Sequence, residues 1–271
     1  MNAGQAAGRG ATLRRPGSGM LDFAVLGWLL VPVVPLLVWA AASRWSAPAV
    51  LPQEWGLEGW QRAYDDGLGS ALVRSTALGL AVAAIATPLG AMAGRALGWR
   101  ELRRPAPVAL ALLAPVVLPP FSVAMGLDVL LLRVGLPEVV AVVLLLVVLA
   151  LPYTSYTMRA AYAGIDPELE EQARTLGASP RQARRRATLP AVRLGLLTAA
   201  GLAFLVGWSD YVVTLLVGGG RLVTVPVLIG STAAGSGNEA TVAALSLSSV
   251  LPLVVVIGLT VALDRRRRGT P

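Results

Sequence analysis

The chain contains no cysteine, no histidine and no lysine in its 271 residues. These absences exclude disulfides, thiol catalysis, Cys/His zinc sites, histidine-ligated haem and any Ser–His arrangement. A P-loop needs its lysine to reach the nucleotide phosphates, and no Gly-x-x-x-x-Gly-Lys occurs, so the chain has no P-loop of its own. No metal or other cofactor site is expected. Charge is scarce too: 14% of residues are charged and 55% hydrophobic, with a mean hydropathy of +0.68. A soluble domain of this length needs more charge to cover its surface, and the apolar residues here come in long blocks. The expected fold is all-α, a polytopic membrane helical bundle.

A helix needs about 20 apolar residues to cross the hydrocarbon core. Six stretches qualify: Leu21–Ala42, Ala71–Gly94, Pro105–Leu127, Val139–Met158, Leu194–Val217 and Ala240–Leu263. Leu222–Ala234 is too short and too rich in Gly and Ser, and is expected to be interfacial or re-entrant. Prolines interrupt several spans, at positions 32, 35, 88, 115, 119, 120, 152 and 252. They are ordinary membrane-helix prolines, or signs of a bundle that rearranges around a pathway.

The net charge of +8 suggests nucleic acid in a soluble protein, but in a membrane protein basic residues mark cytoplasmic loops facing anionic lipid, so no nucleic-acid partner is expected. Arginines concentrate in alternate connections: Arg9, Arg14 and Arg15; Arg95, Arg100, Arg103 and Arg104; a group from Arg159 to Arg193; and Arg265 to Arg268. The intervening connections hold only Arg44, Arg62, Arg74, Arg133 and Arg221. This asymmetry places both termini, and the loop between the fourth and fifth spans, in the cytoplasm. The first apolar stretch is too long for a signal-peptide core despite the cleavage-like Ala40-Ala41-Ala42, so a retained helix is expected. Residues 1–67 form a tail, first helix and external loop, 68–263 the transmembrane domain, and 264–271 a basic cytoplasmic tail.

The loop from Asp166 to Pro190 reads as two helix starts in succession. Asp166 caps and Pro167 takes the first helical position, with Glu168, Glu170 and Glu171 near the positive end of the dipole. Glu170 and Arg174 are spaced as an i,i+4 pair. Gly177 stops the first helix, and Ser179 with Pro180 starts the second. Leu169, Ala173 and Leu176 make a narrow apolar stripe. A helix pair of this kind suits docking onto a soluble partner, or is a solvated hairpin that only orients the chain. Its attachment to the bilayer at both ends argues against a DNA-binding helix-turn-helix.

Glu171, Ala173, Gly177, Leu189 and Pro190 resemble, at matching spacing, the EAA loop of ATP-binding-cassette importer permeases, the binding-protein-dependent inner-membrane components of MetI-like fold. Gln172, Arg184 and Ala187 depart from it. The resemblance implies a non-catalytic permease subunit in a bacterial inner membrane. It also implies that the two short helices couple to a separate ATPase subunit. Further implied partners are a second permease, homologous or identical, an extracytoplasmic solute-binding protein and the lipid bilayer.

The run Trp208-Ser209-Asp210-Tyr211-Val212-Val213-Thr214 is similar to the fifth span of spermidine/putrescine-type permeases, which implies a small cation as solute and Trp208, Asp210, Tyr211 and Thr214 along its pathway. An acid within a span is costly and usually functional. Asp210 either attracts a cationic solute or hydrogen-bonds a neighbouring helix. Asp210 also admits an ion-coupled secondary transporter, although no inverted repeat is apparent. With Asp128 it admits an intramembrane aspartyl protease, whose glycine-flanked motif is missing.

Overall fold

The computed structural model describes residues 25, 27, 28, 30–46 and 48–268. The helices are α1 (Val33–Ala40), α2 (Glu58–Asp65), α3 (Leu68–Gly98), α4 (Pro105–Val117), α5 (Pro120–Val134), α6 (Glu138–Ala163), α7 (Glu168–Thr175), α8 (Pro180–Ala183), α9 (Leu189–Ser209), α10 (Val212–Val217), α11 (Val225–Ala233) and α12 (Glu239–Arg268). A π turn over Arg184–Thr188 joins α8 to α9, making one continuous helix from Pro180 to Ser209. A small antiparallel ladder pairs β1 (Ala42–Arg44) with β2 (Glu54–Trp55) in the connection after α1.

Among the described residues, four helices are long and apolar enough to cross a membrane: Leu68–Gly98, Glu138–Ala163, Pro180–Ser209 and Glu239–Val256. The expected span Leu21–Ala42 begins outside the described residues. The expected single span Pro105–Leu127 is two helices. Leu118 is extended at φ −80°, ψ 138°, as a residue before proline prefers, and Pro119 follows it. The span drawn through Leu194–Val217 also breaks, because Asp210 is extended at φ −72°, ψ 131°. At nine residues, α11 is too short to cross, as the Gly- and Ser-rich composition of Leu222–Ala234 suggests.

The bundle is centred on α3, which packs along both α6 and α9. Its small residues recur every fourth position, so Gly90, Gly94 and Gly98 line one face opposite Thr154, Met158 and Tyr162 of α6. A Cβ on Gly94 would stand 2.5 Å from the Met158 Cβ and 2.7 Å from the Arg159 nitrogen, and one on Gly90 would overlap the Thr154 side chain. In lipid, where apolar burial gives little drive for helix association, such close backbone approach is a main source of attraction. Gly79 and Gly207 let α3 and α9 meet in the same way.

Polar ties hold α4, α11 and α12 to the bundle. The Ser75 hydroxyl of α3 accepts from the Val225 N–H at 2.9 Å, satisfying a free donor at the start of α11. Trp208 Nε1 donates to the Ser249 carbonyl at 3.1 Å, joining α9 to α12, and the Tyr156 hydroxyl donates to the Ala109 carbonyl at 2.9 Å, joining α6 to α4. A buried cluster of Leu78, Val82, Val142, Leu145, Leu146 and Val213 fills the space between α3, α6 and α10.

Candidate functional site

The hairpin between α6 and α9 is built largely as its sequence spells. The Asp166 carboxylate accepts from the Glu168 N–H at 2.9 Å. At the end of α7, Gly177 N–H donates to Arg174 at 2.9 Å and Ala178 N–H to Ala173 at 3.1 Å. This is a Schellman closure, and it requires Gly177 in the left-handed region at φ +89°. Ser179 then forms a full capping box with Gln182 at the start of α8. Pro190 lies just after the π turn. Its ring would crowd the carbonyl four residues back and it has no N–H to donate, and the widened turn before it accommodates both effects.

Two expectations about the hairpin need correction. Glu170 does not pair with Arg174. Its carboxylate receives both terminal nitrogens of Arg95, from the last turn of α3, at 3.2 and 3.0 Å, and the Thr188 hydroxyl at 2.7 Å. Arg95 also reaches Glu101 at 3.2 Å and lies 4.6 Å over the Trp99 ring. The apolar stripe does not stay on one face either: Leu169 and Ala173 are half-buried, whereas Leu176 is 89% exposed at the tip. The outer face thus presents Glu171, Leu176, Gly177 and Leu189 to the surroundings, beside the exposed Arg181 and Arg184 to Arg186. The contacts of Glu170 with Arg95 and Thr188 were not singled out from the sequence. Arg95 is separated from Glu170 by 75 residues, and the only local signal was an arginine near a helix end.

A second feature lies where the two broken helices meet. The last turn of α4, just before its break, and the break at Asp210–Tyr211 border a cleft of about 430 Å³, lined by Pro115, Val116, Leu149, Tyr153, Val206, Ser209, Asp210, Tyr211 and Val212. Of the four pathway residues drawn from sequence, Asp210 and Tyr211 line it. Trp208 does not: it is 3% exposed, stacked on Phe204 with ring centroids 5.9 Å apart, in the packed core beside α12. Thr214 is fully buried, and its N–H and hydroxyl donate to one Asp210 oxygen at 2.8 and 2.9 Å. The other Asp210 oxygen accepts from the Val213 N–H at 3.5 Å. The carboxylate therefore caps α10, which explains a helix break in a stretch without proline. Sequence pattern missed Tyr153 and Ser209, because neither is unusual in an apolar helix.

Apolar helices packed through glycine, two of them interrupted beside a cleft, with a capped helix hairpin at one end, make a membrane-embedded helical bundle. Residues 86–269 match the family described as the binding-protein-dependent transport system inner membrane component, and the chain belongs to that family. It is the permease subunit of an ATP-binding-cassette importer, an inner-membrane component. The chain is 28% identical over 252 residues to the trehalose transport system permease protein SugB of Mycobacterium tuberculosis (strain CDC 1551 / Oshkosh), covering 91% of this chain and 92% of that one. It is 32% identical over 125 residues, 45% of each chain, to the diacetylchitobiose uptake system permease protein DasC of Streptomyces coelicolor. Its fold matches a chain of a bacterial ABC transporter involved in import of the acidic polysaccharide alginate, with a TM-score of 0.59 and 18% identity over 89% of this chain and 94% of that one.

Proposed function

We propose that this permease seats its α7–α8 hairpin on a separate ATPase subunit at the cytoplasmic face and moves a di- or oligosaccharide past the cleft beside Asp210. In this reading both termini are cytoplasmic. A second permease completes the pathway, and an extracytoplasmic solute-binding protein delivers the sugar. The observation that carries the coupling role is the hairpin's division of faces. Glu170 is turned inward and fully engaged, whereas Glu171 and Leu176 are exposed. Gly177 and Pro190 shape the helix ends that present those groups, and Ala173 anchors the turn through its carbonyl. With no lysine for a P-loop, the chain leaves ATP hydrolysis to its partner and is itself non-catalytic.

The lining of the cleft and what the relatives are named for support this solute class. Polyamine recognition needs a carboxylate free to meet an ammonium, but Asp210 already accepts three hydrogen bonds from its own helix. The cleft otherwise offers the rings of Tyr153 and Tyr211, apolar walls and the Ser209 hydroxyl oxygen as an acceptor, its proton being donated to the Leu205 carbonyl at 2.7 Å. Sugars present C–H faces that stack on aromatic rings and hydroxyls that pair with a few placed polar groups, a combination this lining supplies. The relatives named for trehalose and diacetylchitobiose point the same way.

The test is accumulation of labelled trehalose, diacetylchitobiose, putrescine and spermidine by cells carrying the whole transporter. A disaccharide is expected to accumulate and the polyamines not. Asp210→Asn retains a capping oxygen and is expected to keep most of the uptake. Asp210→Ala is expected to lose about 1 kcal/mol of helix-end stability and to lower membrane abundance. Polyamine uptake that falls about tenfold or more in Asp210→Asn would reinstate charge recognition.

A further inference from the structure

We propose that Glu170 is a positioning residue for coupling: its carboxylate locks the hairpin to α3 through Arg95 and to the head of α9 through Thr188, so that the three move as one body. The inference rests on the coupling role proposed above and adds the route by which hairpin motion reaches the bundle. A push on the hairpin enters α9 directly, because α8, the π turn and α9 form one continuous helix from Pro180 to Ser209. No such covalent path leads to α3, whose last turn is separated from the hairpin by the whole of α4, α5 and α6. The Arg95–Glu170 pair supplies a direct polar tie.

Its geometry suits a rigid link. Both terminal nitrogens of Arg95 meet the two Glu170 oxygens at 3.2 and 3.0 Å, and a bidentate fork fixes orientation as well as distance. The side chains are 29% and 18% exposed, so water and salt screen this pair less than the outlying Arg62–Glu58 and Arg44–Glu54 pairs. Arg95 is held from behind by Glu101 and by the Trp99 ring, and Trp99 Nε1 donates to the Tyr162 carbonyl at 3.0 Å, which ties α3 to the end of α6. Thr188, which closes the π turn, is 1% exposed and donates to Glu170 at 2.7 Å. Successive residues of a helix point about 100° apart, so the adjacent carboxylates divide their roles: Glu170 faces the bundle and Glu171 faces out.

The test uses the full transporter, with its ATPase, companion permease and binding protein, in proteoliposomes. Variants are Glu170→Gln, Arg95→Gln, the two combined, and Thr188→Val. Because the chain has no cysteine, Val73→Cys and Glu168→Cys give a single spin-label pair within it, introduced and labelled before the chain is assembled with its partners. Both sites are exposed, and Val73 is about 33 Å from Arg95 along α3. In the otherwise unsubstituted chain, the label separation is expected to stay narrow and unchanged when ATP is added. In Glu170→Gln it is expected to shift or broaden with ATP. Binding-protein-stimulated ATP hydrolysis is expected to fall about tenfold in Glu170→Gln, with the ATPase content of the purified complex unchanged. The double variant is expected to be no worse than the worse single one, because both remove one link, and Thr188→Val is expected to show a smaller loss of the same kind. Unchanged stimulation in Glu170→Gln, additive losses in the double variant, or a fall that only follows reduced membrane abundance would overturn the link. Failure of the underlying coupling role shows differently: the unsubstituted complex would then lack the ATPase or show no stimulation.

Discussion

Gly94→Val is expected to lower the thermal midpoint of the detergent-solubilised chain by about 10 °C, while Gly69→Ala leaves it unchanged or slightly higher. An added Cβ at Gly94 meets the Met158 Cβ at 2.5 Å and the Arg159 nitrogen at 2.7 Å. Neither neighbour is the far end of a flexible side chain. Relief therefore requires α3 and α6 to separate, which loses the close packing between them at a cost of about 3 kcal/mol or more. The damage should spread, because α3 also carries Gly79 against α9 and Ser75 against α11. Gly69 lies in the same helix with nothing within 4 Å of an added Cβ, so alanine there brings only its better helix propensity. Fluorescence-detected size-exclusion after heating compares the two directly. Equal midpoints would mean that the α3–α6 contact is not the one described.

The second large effect is expected at the hairpin turn. Gly177 sits at φ +89°, where proline, held near −65°, cannot follow, and proline also removes the N–H that reaches Arg174. Gly177→Pro should abolish the Schellman closure and re-aim Leu176 and the start of α8. Uptake is expected to fall below about a tenth of the unsubstituted level, with membrane abundance nearly unchanged, because no helix–helix contact of the bundle depends on this turn. Glu171→Arg leaves the turn intact but reverses the charge on the outward face, and should give a comparable loss of uptake with normal abundance. Substrate-stimulated ATP hydrolysis at the unsubstituted rate in both variants would remove the hairpin from the coupling role.

Local chemistry was legible in the sequence where one segment settles its own structure. The caps at Asp166 and Ser179, the glycine stop at Gly177 and the short α11 all follow from residues within a few positions. The family followed from the same hairpin, since its Glu, Ala, Gly and Leu-Pro sit on one short stretch. Interactions between distant segments were not legible. An i,i+4 partner for Glu170 was available at Arg174, yet the fork of Arg95 arrives from α3, 75 residues earlier. Trp208 sits in the same polar run as Asp210, but its helix turns it into the core beside Ser249. The break at Asp210 escaped hydropathy because one acid does not interrupt the apolar average of the run around it. The carboxylate competes for backbone donors of its own chain, a choice that shows only when the helix ends there. The glycines at 90, 94 and 98 stand four residues apart, and that spacing passed unremarked because it does not say which helix they meet.

The most direct measurement is a photo-crosslink from the hairpin tip of the assembled transporter. Leu176→Cys provides a single thiol in a cysteine-free chain, at the side chain that stands 89% exposed. Labelled with a maleimide–benzophenone and irradiated in membranes, it should yield an adduct with the ATPase subunit whose amount changes when ATP is added. An adduct with the extracytoplasmic binding protein, or none with the ATPase, would contradict the assignment of this hairpin as the coupling element.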